Sequence, residues 1–424
     1  MNDTPTGSTI LDRPITRRRV LERTAVGAGA LALASAIDVR YALAQDEGPI
    51  KIGWLGDRTG DFSIVGVQKF NAANLAVKEI NDRGGALGRQ LELVAEDAQS
   101  DNRRYQEMVR KLILQDKVDV LHAGFTSASR EAIRPIVDQN KMLYFYNNQY
   151  EGGVCDSWVF PTGAVPDHQV VPFIPAVIEK FGPRIYTIAA DYNFGQLTAS
   201  WCRKVAEQNG GEIIGEEFIP LDVSQFSSTI TNIQQAAPDV LIVLLVGIKQ
   251  SSFYEQKNSA GLTLPMATTI NMGQGYEHKR FPPPALANMY VTVNFMEELA
   301  EQTGTDFVTR FRAMVPDAEY VGMEAAAEWE GINLHIAGVE KAGTTDKEEV
   351  RKALETGISV EGPAGTVMID PATHHTVRNI YLVHADDQHT IILDQTFEAV
   401  RPDWLSLEKG CNLAVTPDNT QYEP

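Results

Sequence analysis

The sequence predicts an α/β protein made of two doubly wound parallel sheets, and three observations lead there. Short apolar runs alternate with amphipathic helical stretches from residue 50 onward, the alternation restarts after the turn Pro161-Thr162-Gly163, and glycine or hydroxyl residues mark the junctions. Strands separated by helices pair in parallel through right-handed crossovers, and ligands of such sheets sit beyond the carboxyl ends of the strands. Two facing sheets would therefore share a cleft.

The first series opens with Ile50-Lys51-Ile52-Gly53-Trp54-Leu55 as a strand. A helix over 67–83 follows, with Phe70, Ala73, Val77 and Ile80 on one face and Asn74, Lys78 and Asp82 on the other, stopped by Gly84-Gly85. A strand over 90–95, a helix over 103–115, a strand from 118 and a strand over 142–145 continue the pattern. The second series reads as helices over 169–180, 194–209, 228–236 and 250–260 with strands over 185–190, 212–219, 240–245 and 266–269, giving two sheets of similar size. The tail changes character. Helices over 305–314, 325–341 and 347–356 precede hairpin-like strands near 379–383 and 390–393, which are expected to return across the lobes.

Composition excludes several function classes. A length of 424 residues allows two or three domains, and a net charge of −19 supplies nothing to neutralise phosphates, which argues against a nucleic-acid partner or a membrane surface. Three cysteines, Cys155, Cys202 and Cys411, permit one disulfide whose pairing the sequence leaves open. The eight histidines form no chelating set, so no metal and no cofactor is expected. At the N-terminus, Thr16-Arg17-Arg18-Arg19-Val20-Leu21, a mildly apolar run over 24–37 and Ala42-Leu43-Ala44 spell a twin-arginine-type export signal over residues 1–44. No later run has the roughly twenty apolar residues of a transmembrane span. The expected location is the periplasm or outside the cell.

The stretch from Val118 to Ile133 holds the strand, turn and helix start around which the chain is organised. Ser127, at the expected helix start, reads either as an ordinary N-cap or as part of a seat where free N–H groups and the helix dipole meet a carbonyl, amide or carboxylate oxygen.

Glu79-Ile80-Asn81-Asp82-Arg83-Gly84-Gly85-Ala86-Leu87-Gly88-Arg89, followed by Glu96-Asp97, resembles the signature of type I periplasmic solute receptors of the branched-chain amino-acid transporter class. Within that class, Gly124-Phe125-Thr126-Ser127-Ala128-Ser129-Arg130 and Tyr146-Asn147-Asn148-Gln149-Tyr150-Glu151-Gly152 are most similar to the urea and short-chain amide receptors. The resemblance runs from residue 50 to about 404. It implies two lobes, 50–165 plus about 292–378 and 166–291 plus about 379–424, joined by three crossover strands and closing on a ligand by hinge motion. It further implies an inner-membrane ABC permease as partner. Phe125, Thr126 and Ser127 match the first-lobe helix start, Tyr146 and Asn148 the wall after the next strand, and Tyr192 the aromatic cover of the second lobe. Val246, Gly247 and Thr269 match second-lobe strand ends. Phe125 stands where relatives often have Trp or Tyr, and Asn148 where some have Thr.

Tyr146 could equally be packing, Tyr192 could staple a helix start, and Thr269 could be a β-branched strand end. Amino-acid receptors of this family typically carry an acidic residue where this chain has Thr269, so the resemblance implies a small uncharged solute of the urea or amide type, with a branched-chain or other amino acid as the alternative. No G-x-S-x-G elbow is present, which argues against a periplasmic hydrolase, and the export signal argues against a cytoplasmic sensor. The expected protein is a receptor and not an enzyme.

Overall fold

The computed structural model describes residues 48–424; the export signal expected over 1–44 lies outside the described residues. The first series is β1 (Ile50–Gly56), α1 (Ser63–Asp82), β2 (Leu91–Asp97), α2 (Asn102–Arg110), β3 (Val120–Ala123), α3 (Ser127–Asn140), β4 (Tyr144–Tyr146), β5 (Val154–Asp156) and β6 (Val159–Pro161). Its sheet has the order β2-β1-β3-β4-β6 and is parallel throughout, with Ile52 opposite Val120 and Leu121 opposite Tyr144. All four residues of β3 are buried, which is what a central parallel strand covered on both faces requires. The expected helix over 103–115 is α-helical only to Arg110; a π-helical turn, Lys111–Asp116, completes it and ends at Lys117 in the left-handed region, φ +55°.

The second series is α4 (Val170–Phe181), β7 (Arg184–Ala190), α5 (Asn193–Gln208), β8 (Glu212–Ile219), α6 (Ser227–Ala236), β9 (Val240–Leu244), α7 (Gly247–Ser259) and β10 (Met266–Thr268). Beyond it come β11 (Met289–Val293), α8 (Phe307–Met314), α9 (Met323–Ala342), α10 (Lys347–Leu354), β12 (Ser359–Gly362), β13 (Gly365–Ile369), β14 (Thr376–Ala385), β15 (Ile391–Val400), α11 (Asp403–Leu407) and β16 (Asn419–Gln421).

The expectation of two sheets of similar size is corrected here. The first has five strands and the second nine, because the tail joins the second: β11 extends it in parallel beside β10, and β14 then pairs antiparallel with β11, β13 and β15. β14 is the long connector. Val377 faces Met368 of β13, whose neighbour Val367 packs in the core under the first sheet, while Val383 faces Val291 of β11 in the core of the second.

α9 lies against α1 and carries Glu324, Glu328 and Glu330, all buried, on turns that face α1, the ends of β4 and β14. The cysteine pairing left open by the sequence is Cys155 with Cys411, bridging β5 to the segment after α11, and Cys202 is free and buried. β16 pairs with β5 through Thr420 and Cys155. Among the described residues no helix is long and apolar enough to cross a membrane.

Candidate functional site

Between β3 and α3 the chain turns at Gly124, φ +88°, where a Cβ would fall 2.9 Å from the Tyr144 hydroxyl and 3.1 Å from the Tyr146 ring. The helix cap is Thr126, not Ser127: its Oγ1 accepts from the Ser129 amide at 3.0 Å, and Ser129 Oγ donates back to the Thr126 carbonyl at 2.8 Å. Freed from capping, Ser127 sits on the first turn and donates from Oγ to Glu151.

The next loop locks onto this turn. Tyr146 Oη donates to the Phe125 carbonyl at 2.5 Å, and Asn148 Nδ2 donates to the same carbonyl at 3.0 Å and to the Gln149 carbonyl at 3.0 Å. Tyr146 is fully buried with the Arg130 guanidinium 5.2 Å from its ring centroid, so it stands behind the wall. Lys69 of α1, also buried, donates to the Asn147 carbonyl at 2.8 Å and the Gly124 carbonyl at 3.3 Å, joining the ends of β4 and β3 through one ammonium group. Its counter-charge is Glu328 at 3.5 Å. Burial pushes the Glu328 carboxyl up to about 7, with Lys69 offsetting part of the rise.

The opposite wall comes from the second series. Tyr192 precedes α5 in extended conformation and lies against Phe194, with ring centroids 6.0 Å apart. Val246 donates its amide to Gln250 Oε1 at 2.8 Å, and Gly247 opens α7 at φ +83° with the Phe62 ring 3.2 Å from where a Cβ would stand. After β10 the chain folds back on Glu277, whose carboxylate accepts from the Met272 amide at 2.8 Å, Asn271 Nδ2 at 2.9 Å and Ser251 Oγ at 3.2 Å.

These walls enclose two adjoining cavities. The inner one, a narrow space of about 10 Å³, is lined by Phe125, Ser127, Asn148 and Gln149 from one side and by Tyr192, Phe194, Val246 and Gln274 from the other. Its neighbour, also about 10 Å³, shares Phe125 and Gln274 and adds Phe62, Gly247, Asn271, Glu277 and Arg280 among its walls. Two buried acceptors of the inner wall, Asn148 Oδ1 and Gln149 Oε1, have no hydrogen-bond partner in the protein. Gln274 Nε2 donates to Glu324 Oε1 at 2.9 Å, an atom that also accepts from the Gln149 backbone amide at 3.2 Å, so the Gln274 side chain and the Gln149 backbone are both anchored on α9.

Of the residues singled out in the sequence, Phe125, Ser127, Asn148, Tyr192 and Val246 line the inner cavity and Gly247 the neighbouring one. Thr126, Tyr146 and Thr269 line neither. Thr269 is buried; its carbonyl accepts from Gln169 Nε2 at 2.7 Å while its Oγ1 has no partner. Gln149 adjoined a residue already chosen, whereas Phe62, Gln274 and Arg280 come from loops or a short turn that carry no periodic signal. Among the described residues no group of three or more His, Cys, Asp or Glu is placed to hold a metal ion.

A family model described as periplasmic binding protein matches residues 49–390, most of the described chain. The chain belongs to that family. This periplasmic binding protein is 21% identical over 350 residues to the Leu/Ile/Val-binding protein homolog 6 of Brucella abortus, covering 80% of this chain and 88% of the relative. It is 22% identical over 343 residues to the leucine-, isoleucine-, valine-, threonine-, and alanine-binding protein of Pseudomonas aeruginosa, covering 80% and 90%. Among solved structures, an ABC-transporter solute binding protein from Rhodopseudomonas palustris BisB5, in complex with 3,4-dihydroxybenzoic acid, superposes with TM-score 0.73 at 22% identity, covering 83% of this chain and 98% of that one. The isoleucine-bound LivJ of Streptococcus pneumoniae gives TM-score 0.71 at 20% identity, covering 84% and 100%. The fold is that of the type I binding proteins.

Proposed function

We propose that this chain is the periplasmic receptor of an ABC importer, and that it captures a small polar organic solute of the urea or short-chain amide type in the cavity between Ser127, Asn148 and Tyr192. One observation carries the ligand class: none of the eight residues lining the inner cavity is charged. Burying a charged end against such walls costs several kcal/mol, whereas Asn148 Oδ1 and Gln149 Oε1 can accept from a neutral amide's N–H groups and the Gln149 and Gln274 side-chain amides can donate to its carbonyl. The orphaned acceptors Asn148 Oδ1 and Gln149 Oε1 would take the solute's N–H groups. Phe125, Tyr192 and Phe194 would sandwich its plane.

In this reading the lobes are 50–165 plus about 292–378 and 166–291 plus about 379–424, closing about three crossovers. The family supports a periplasmic location, and the twin-arginine signal gives the proposed route. An inner-membrane permease would take the solute from the closed lobes.

A second reading, an amino-acid receptor, has its own support: two relatives bear the names of amino-acid binders, and the buried carboxylate of Glu277 lies on the neighbouring cavity. Against it, Glu277 already accepts from Met272, Asn271 and Ser251 and has Arg280 at 3.7 Å. A thermal-shift screen followed by calorimetry separates the two. Acetamide or urea should bind at micromolar or better affinity and raise the melting temperature. Tight binding of leucine or valine with no response to either amide would replace this reading with the second.

A further inference from the structure

A serine hydroxyl has one proton to give and two lone pairs to offer. The proton of Ser127 is already committed, since Oγ donates to Glu151 Oε2, and Ser127 lines the inner cavity with its lone pairs left over. Glu151 is buried and fixed at both ends: Oε1 accepts from Arg130 Nη2 at 2.7 Å, and the backbone carbonyl accepts from Trp201 Nε1 at 3.0 Å. A carboxylate accepts hydrogen bonds and gives none, and the buried Arg130 holds this one in place by charge. The Ser127 proton therefore stays turned away from the cavity.

The other polar residue on this edge is in the same condition. Asn148 Nδ2 has two N–H donors, and they go to the Phe125 and Gln149 carbonyls at 3.0 Å each, which leaves Oδ1 buried and without a partner. The side chains of Ser127 and Asn148 thus show only acceptors to the cavity. The space in front of them is about 10 Å³, room for little more than one water-sized group. What a solute puts there is a single polar end, and the direction of its hydrogen bonds decides whether it fits.

We propose that Glu151, which lines neither cavity, is a positioning residue for solute choice: by holding the Ser127 proton it keeps the edge formed by Ser127 and Asn148 acceptor-only, and so selects an NH2 end, as in a primary amide or a urea, over a carboxylate of the same shape. This rests on the reading of the inner cavity as the seat of the solute's polar end. A carboxylate in that seat sets its own lone pairs against those of Ser127 and Asn148 and leaves all of them unpaired. Arg130 gives it no compensation, being paired already with Glu131 and Glu151.

The test is calorimetry near neutral pH with acetamide and, in competition, acetate. The parent protein should prefer acetamide by at least about a hundredfold. Glu151→Gln keeps an oxygen to accept from Arg130 and turns an N–H toward Ser127, so the serine proton is released to the cavity and the preference should fall about tenfold. A merely structural Glu151 would lower both affinities together and leave the preference alone. Ser127→Ala should weaken acetamide about tenfold and leave acetate unchanged, because it removes an acceptor that only the amide uses. Adding Glu151→Gln to Ser127→Ala should then move the preference no further. A preference unmoved by Glu151→Gln, or acetate weakened as much as acetamide by Ser127→Ala, would overturn the inference and leave the receptor reading standing; the serine arm decides alone if Glu151→Gln does not fold. If the parent binds neither acetamide nor urea, both fall together.

Discussion

Behind Ser127 and Asn148 the cleft is backed by buried ion pairs: Lys69 with Glu328, Arg130 with Glu151 at 2.7 Å, and Arg134 with Asp156 at 3.1 Å. Behind Val246 and Tyr192 it is backed by neutral amides, above all Gln250, which accepts from Val246 and donates to the Ile219 and Pro220 carbonyls at 3.0 and 3.1 Å. The second side also holds positive φ angles at two residues with side chains, Met272 and Tyr276, beside Gly247, while around Ser127 and Glu151 the positive φ angles fall on glycines, Gly124, Gly152 and Gly153. The first wall is a template fixed before the solute arrives, since each charge locks a strand end. The second stores conformational strain and is held by weaker bonds, which suits the side that must adjust to what is bound.

The largest effect should come from breaking the template. Lys69→Met removes the ammonium that joins the Gly124 and Asn147 carbonyls and leaves Glu328 without its counter-charge. Loss of one partner of a buried pair costs about 3–5 kcal/mol, to be read in urea or thermal unfolding, with a loss of solute affinity alongside. A stability within about 1 kcal/mol of the parent would mean that the first wall is not held by this charge.

The same pair gives the first wall a pH signature. The folded Glu328 carboxyl lies at about 7 against an ordinary 4.5. Folding therefore takes up a proton between those values, and this contribution to stability is full below about 4.5 and lost as pH rises through about 7. Asp57, raised by burial from 3.8 to about 6, adds a slope of the same sign at lower pH. Glu328→Gln should flatten the unfolding free energy between pH 5 and 7, as followed by denaturant titrations across that range; an unchanged slope would assign it elsewhere.

On the second wall, Gly247→Ala forces a side chain into φ +83° beside the Phe62 ring. The strain is worth about 1–2 kcal/mol, and it should appear mostly as weaker solute binding, since the clash crosses the cleft. The smallest effect belongs to Lys249, which pairs with Asp61 at 2.9 Å across the same mouth with both side chains about half exposed. Lys249→Ala should leave stability close to that of the parent, and closer still at high salt. If it exceeded Gly247→Ala, the mouth would be latched by charge rather than shaped by backbone.

The sequence made the strands and helices of both series legible because periodicity is a local property: β8 lies over 212–219 as read, and most other elements agree within a few residues. Three-residue strands such as β5 and β16 carry no period, so the pairing that anchors Cys155 was out of reach. The extra width of the second sheet was missed because β11 and β14 are joined by pairing between residues such as Thr292 and Leu382, far apart along the chain. At the site, residues next to strand ends could be found, since a parallel sheet presents its ligand there. Lys69 could not. A lysine on an amphipathic helix reads as solvated, and only the meeting of α1 with α9 turns it into a buried tie. Of the two tasks the sequence left open for Ser127, capping falls to Thr126, because two hydroxyls stand side by side and one residue of register decides which one caps.

β16 carries one more consequence. Gln421 reaches Arg130 at 3.4 Å across 291 residues of chain, the Asn419 carbonyl accepts from Arg134 at 2.9 Å, and Tyr422 donates its amide to the Gly153 carbonyl at 2.8 Å. The loop that begins the binding wall is thus made early in synthesis and finished late. Without this strip the guanidinium under Ser127 and Glu151 lacks part of its setting. The floor of the candidate site is therefore shared between residues 291 positions apart, and trimming this strip should weaken it without touching a residue that lines the inner cavity.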